Sequence, residues 1–454
     1  MFAALMDNCV ALKIGSHPSV KACLLDEPIP LDLGVGSSST QSKAKQRLRK
    51  RETVPQEDAP AQLRFLSQPR DTDIRVTSEY VYDDSAGEGM TAYVVSTGAN
   101  PDNPDFADML GTTEWLWPTE ELWNAYAVDE YEEPYESFTD PANHGCCVIS
   151  TIAGRDFGVA KKANVVIVKT VTIQTGEGQG MFLGIYVLEA ISLVIDDMHS
   201  RDEKGQSVNG KAVITFTTQI HWDPKSENDL PWINMLENAI LELLELDVVV
   251  VVSSGNYKNT EGYSDDVDAY PALFAADYPG IIVAGAVTPD GMECQFSQGG
   301  PLVEVWAPGE TIECADNVGT GYQVLDGTSF SSGFVSGLAL YLLKLDPTLQ
   351  RPGTGTTSAV VKARIIQDAY SRKEGDVEFP PAIWNGLASP LCAAVGVGEE
   401  DAEASCPLFS SAVSSSSSAT WRSSTASTLR ISTTTDATSE PSVVLSDPCN
   451  NGER

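Results

Sequence analysis

Five consecutive valines, Val248–Val252, constrain this chain more than any other segment. A strand with one wet face alternates apolar and polar residues. A run that is apolar at every position must be buried on both faces, as happens in a parallel sheet. Similar runs recur at Ala92–Val95, Val165–Val168, Ala212–Phe216 and Ile281–Val283. Between and after them lie helical patterns over Met181–Met198, Trp232–Leu246, Ser329–Leu345 and Ser358–Tyr370. Strand alternating with helix predicts an α/β fold with a mainly parallel central sheet flanked by helices. Functional groups in such a sheet gather at the carboxyl ends of its strands.

The flanks read differently. Residues 1–58 form an irregular arm carrying Gly36-Ser37-Ser38-Ser39-Thr40 and the basic run Arg47-Leu48-Arg49-Lys50-Arg51. That run is either a processing site for a protease cutting after paired basic residues or a solvated linker. From 389 to 454 the chain turns acidic at Glu399-Glu400-Asp401 and then Ser/Thr-rich, a composition that cannot bury enough apolar surface to fold. Residues 59–388 remain as the folded domain. Gly176-Glu177-Gly178-Gln179-Gly180 lacks the spacing and lysine of a phosphate loop and reads as a plain loop.

Charge narrows the partners. A formal net charge of −35 repels nucleic acid and anionic lipid, so neither is an expected partner. No apolar run has the length of a membrane span. Met1–Val10 lacks the basic start of a secretory signal. The nine cysteines show no zinc-type Cys-x-x-Cys spacing, and their pairing is not readable from spacing. Oligomeric state and compartment are equally unreadable.

Chemistry concentrates in Asp326-Gly327-Thr328-Ser329, which opens the last long apolar helix. A serine at a helix N-terminus sits among free backbone N–H groups, where an oxyanion is stabilised. The same pattern also suits an ordinary helix cap. A nucleophilic serine needs a base, and only four histidines exist: His17, His144, His199 and His221. His17 lies in the arm. His199 follows two aspartates at a helix end, and His221 reads as a loop residue. His144, in Asn143-His144-Gly145-Cys146-Cys147, precedes a small apolar helix and is the candidate base.

The segment His144-Gly145 through Ala153-Gly154, followed by Gly158-Val159-Ala160-Lys161-Lys162-Ala163, resembles the histidine block of the subtilisin-like serine peptidases, the subtilases, in particular their proteinase K-like branch. Gly327-Thr328-Ser329 resembles their nucleophile motif, and Ser253-Ser254-Gly255-Asn256 the segment whose asparagine donates to the oxyanion. Tyr80–Gly89 resembles the lead into the first catalytic strand, and Val303–Gly309 a further strand and turn. The blocks come in family order across residues 59–388. The resemblance implies a three-layer subtilisin-like fold, a polypeptide substrate, His144 as base, Ser329 as nucleophile and Asn256 in the oxyanion site. It implies no required cofactor. Calcium is compatible as a structural ion, with no ligands assignable, and an extracellular setting fits the resemblance.

The departures bear on activity. Where the family has Asp-Thr-Gly, this chain has Ser96-Thr97-Gly98, so Ser96 stands in place of the triad acid. Losing that carboxylate costs on the order of 10⁴-fold in rate. Asp102, Asp105 and Asp108 are nearby replacements in sequence. Thr215-Phe216-Thr217-Thr218-Gln219 replaces a Ser-Leu-Gly-Gly-like substrate strand, which predicts a narrowed cleft. Gly333 replaces a proline, and Cys146-Cys147 a threonine and histidine. Two readings follow: a weakened serine endopeptidase, or a pseudoprotease that keeps the fold for binding.

Overall fold

The computed structural model describes residues 53–120, 135–170 and 180–389, with Trp123 and the short strand segments 28–30 and 173–174. The basic run, the Ser/Thr-rich tail, most of the Gly176–Gly180 loop, His17 and five cysteines (Cys9, Cys23, Cys392, Cys406 and Cys449) lie outside the described residues.

Nine strands form the central sheet: β1 (Thr91–Ser96), β2 (Thr113–Leu116), β3 (Asn164–Lys169), β4 (Ala212–Phe216), β5 (Val249–Ser253), β6 (Ile282–Val287), β7 (Val305–Pro308), β8 (Tyr370–Ser371) and β9 (Pro381–Ala382). Their spatial order is β8-β9-β7-β6-β5-β4-β1-β3-β2. Every neighbouring pair is parallel except β8 with β9 at one edge. The valine and isoleucine runs are its central strands, as their lack of alternation requires. All six residues of β1 and all five of β4 and β5 are buried.

Five longer helices accompany the sheet: α1 (Gly145–Ala153), α2 (Gly184–Glu203), α3 (Leu230–Glu245), α4 (Thr328–Leu345) and α5 (Thr357–Asp368). Tyr93 and Val94 are adjacent in β1, so their side chains leave opposite faces. Tyr93 Oη donates to Asp197 Oδ2 of α2 (2.7 Å). Thr215 is in register with Val94, and its Oγ1 donates to Ser336 Oγ of α4 (2.8 Å). Helices α2 and α4 therefore cover opposite faces, giving three layers. Helix α4 is buried over sixteen of its eighteen residues, from Thr328 to Leu343, because it runs between the sheet and α1.

Three elements depart from the sequence reading. Gly180–Leu183 is a strand paired antiparallel with Pro28–Pro30, and α2 begins only at Gly184. The apolar Met181, Phe182 and Leu183 fit a helical period equally well, and of their two strand partners one, Ile173–Gln174, is only two residues long and the other, Pro28–Pro30, lies far away in sequence. Likewise α5 ends at Asp368, and Tyr370 belongs to β8. Thr53–Gln56, placed in the irregular arm by composition, pairs antiparallel with Tyr80–Asp83.

The strand order positions the site. From β1 the chain moves to one side, to β2 and β3, then crosses back to β4 and continues on the other. The carboxyl end of β1 is thus the point where connections diverge and leave a crevice. Ser96 is the last residue of β1.

Candidate active site

At that crevice the backbone O of Ser96 accepts from Thr170 N and Thr170 Oγ1, both at 2.9 Å, so the strand end is fixed. Ser96 Oγ lies 3.3 Å from His144 Nδ1 and is the imidazole's only polar partner among the described residues. His144 immediately precedes α1. Its neighbours are clamped: Gly145 N donates to Thr97 Oγ1 (3.0 Å), Cys146 N to Asp140 Oδ2 (2.8 Å), and Thr97 Oγ1 to Asp140 Oδ1 (2.5 Å). A carboxylate near the first amides of a helix is favourably placed. Gly145 has no side chain because a Cβ there would overlap the carbonyl of Gly98. One buried carboxylate thus ties the segment after Ser96 to the segment after His144. Burial pushes the Asp140 carboxyl up from its ordinary range, against the pull of those donors.

His144 is buried, and desolvation pushes its imidazole down to about 4. It is neutral at physiological pH, the form a base requires. Its Nε2 is buried without a hydrogen-bond partner among the described residues. The same holds for Ser329 Oγ, at the second position of α4. The imidazole ring centroid lies 5.8 Å from that of Phe330, the residue after Ser329. Helix α1, which His144 precedes, and helix α4, which carries Ser329, pack through glycine. A Cβ on Gly333 would overlap Thr151 Oγ1, and one on Gly337 would lie 2.8 Å from the carbonyl of Ile152 and from Val159 Cβ. Gly333 takes the place of a family proline.

Asn256 follows β5. Its Oδ1 accepts from Thr328 N (3.0 Å) and Thr328 Oγ1 (2.7 Å), which turns the carboxamide nitrogen the other way. The carboxamide is thereby fastened to the residue before Ser329. Gly255 makes the turn at φ +104°, a left-handed conformation suited to glycine.

Two of the three aspartates nominated as substitute acids are engaged elsewhere. Asp105 accepts from Ser150 Oγ and from the backbone N–H of Asp156 and Phe157. Asp108 pairs with Arg155 at 2.5 Å. Asp102 does not reach the imidazole. Of the other histidines, His199 faces Glu242 at 3.6 Å on the surface, and His221 lies 3.2 Å from Asp268 Oδ1.

Two features escaped the sequence reading. A disulfide joins Cys147 of α1 to Cys314 of the strand Ile312–Ala315. Asp140 clamps the His144 segment, and its only sequence signal is its place four residues before the histidine. Among the described residues no group of three or more His, Cys, Asp or Glu side chains could hold a metal ion, and no helix is long and apolar enough to cross a membrane.

Comparison with known proteins gives concordant results. The sequence model of the subtilase family matches residues 87–386. Subtilisin-like protease 7 of Trichophyton tonsurans is 31% identical over 299 residues, 62% of this chain and 63% of that protein. Subtilisin-like protease 2 of Trichophyton rubrum is 30% identical over 317 residues, 69% of this chain and 63% of that protein. The chain thus spans somewhat under two thirds of the length of these relatives. A solved cold-adapted subtilisin-like serine proteinase superposes with a TM-score of 0.53 at 21% identity, over 73% of this chain and 99% of that one, a likeness of fold. This chain belongs to the subtilase family of serine peptidases.

Proposed function

We propose that residues 59–388 form a serine endopeptidase domain that cleaves polypeptides through an acyl-enzyme, weakened by Ser96 in place of an acid. The observation that carries this reading is a pair of buried groups without hydrogen-bond partners among the described residues, His144 Nε2 just before α1 and Ser329 Oγ in α4, two helices packed together, with Asn256 fastened beside Ser329. Ser329 Oγ attacks the peptide carbonyl while its proton passes to His144 Nε2. The Asn256 carboxamide N–H and the Ser329 backbone N–H stabilise the oxyanion. The C–N bond then breaks as His144 returns the proton to the departing amine, and water, deprotonated by the same imidazole, releases the acid. Ser96 Oγ orients Nδ1 but brings no charge to the imidazolium. Such a reaction requires no cofactor.

A second reading, a pseudoprotease retained for binding, is favoured by Ser96 itself, since the imidazolium has no carboxylate in contact with it. The experiment is labelling with a serine-directed fluorophosphonate together with hydrolysis of unfolded casein, in the wild type and in Ser329→Ala. Labelling and cleavage that vanish in the variant support the peptidase. Silence in both supports the binding module.

A further inference from the structure

Beside Asn256, the carboxyl ends of β4 and β5 lie next to each other, and the space between them is filled. Gln219, three residues past β4, is buried, and its Nε2 donates to both Ser253 O and Ser253 Oγ, each at 2.9 Å. Gln298 enters from the other side, also buried. Its Nε2 donates to Ser264 O (2.9 Å), Asp266 O (3.2 Å) and Asp268 Oδ1 (2.6 Å), and its backbone N to Gly255 O (2.9 Å). Neither Oε1 has a hydrogen-bond partner among the described residues. Both oxygens converge on Gly255: a Cβ there would overlap Gln298 Oε1 and lie 3.2 Å from Gln219 Oε1.

We infer that Gln219 and Gln298 plug the recess that receives the substrate side chain on the acyl side of the scissile bond, restricting that residue to glycine, alanine or serine. The inference rests on the peptidase reading for its placement. On that reading, a peptide whose carbonyl lies between Asn256 and Ser329 would set the side chain of that residue beside the adjacent carboxyl ends of β5 and β4. A large side chain there would have to displace Gln219 and leave the carbonyl of Ser253 without its donor, so the penalty is both steric and polar. Single-methylene discrimination by a binding recess is roughly 10- to 200-fold, and exclusion of a phenyl ring lies at or beyond the upper end.

The test compares peptides that differ only in alanine or phenylalanine before the scissile bond, with wild type, Gln219→Ala and Gln219→Gly. Wild type should cleave after alanine at least about 100-fold better in kcat/KM than after phenylalanine. Gln219→Gly should narrow that ratio tenfold or more, with Gln219→Ala between. Equal cleavage after both by wild type overturns the inference, as does an unchanged ratio in both variants while fluorophosphonate still labels Ser329. If fluorophosphonate does not label and no peptide is cut, the peptidase reading fails separately. Calorimetric binding of acetyl-Ala-Ala-Ala and acetyl-Ala-Ala-Phe then carries the same expectation: preference for the alanine peptide that Gln219→Gly relaxes. Equal or absent binding of the two overturns it.

Discussion

Replacing Ser96 with aspartate should raise activity, and the geometry sets by how much. Ser96 Oγ lies 3.3 Å from His144 Nδ1, so a carboxylate oxygen in that place would touch the ring. At that distance and an effective dielectric of about 20, a carboxylate and an imidazolium attract by about 5 kcal/mol. Delivered wholly to the transition state, that is roughly 10³- to 10⁴-fold in rate. Two effects modify it. Ser96 is 1% exposed, so the new carboxylate must be desolvated, close to the existing Asp140 carboxyl. Lys169 stands in register beside Ser96 and offsets part of that cost. The expected gain in kcat/KM for peptide hydrolysis is therefore about 10²- to 10⁴-fold. The imidazole, held down to about 4 by burial, should titrate at distinctly higher pH in Ser96→Asp, which histidine NMR resonances read directly. Ser96→Asn, with similar volume and no charge, should give little of the gain. A change below about threefold in a Ser96→Asp protein that melts like wild type, with the imidazole titration unmoved, would refute the reasoning.

Acid should destabilise the fold through His144: burial lowers its pKa from 6.5 to about 4, so between those values the unfolded chain binds the extra proton. Stability present above pH 6.5 is lost as pH falls to about 4, by on the order of 3 kcal/mol, and urea titrations of His144→Gln should show a flatter slope across that window. Substituting Cys147 and Cys314 by alanine opens a closure of 167 residues and should cost about 2–5 kcal/mol in denaturant titration. Asp140→Ala leaves the Cys146 N–H and the Thr97 hydroxyl without their acceptor and should cost on the order of 3 kcal/mol, with Asp140→Asn recovering most of it.

What the sequence made legible was local or strongly patterned. The valine-rich strands declare their two-sided burial, and His144, Asn256 and Ser329 each sit in a short motif beside the element that carries them. What it hid depended on partners distant along the chain. Met181–Leu183 belongs to the middle strand of a small antiparallel sheet, and one of its two partners, Pro28–Pro30, lies far away in sequence. Cys147 and Cys314 meet only when α1 docks beside the strand Ile312–Ala315. The bulk of Gln219 where the family has glycine was readable, but its anchoring on Ser253 and its opposition to Gln298 across Gly255 required the strands to be adjacent. Two of the aspartates close to Ser96 in sequence, Asp105 and Asp108, are turned away from it by partners about fifty residues further along, at Ser150 and at Arg155–Phe157.

Where Gly333 meets Thr151, nothing softer than main chain and a hydroxyl lies between the two helices. Gly333 is four residues beyond Ser329, about one helical turn, so a wedge there acts almost directly under the hydroxyl. Flexible side chains at such a seam would let the separation of imidazole and hydroxyl drift. A short threonine side chain whose hydroxyl is tied to the Val148 carbonyl instead works as a mechanical stop, whose position is set by atomic radii. A single methyl at 333 would prise the helices apart by a fraction of an ångström to an ångström, and misplacement on that scale costs reacting groups up to about 10²-fold. In a site lacking the charge that would otherwise hold the ring in line, alignment rests more heavily on that stop.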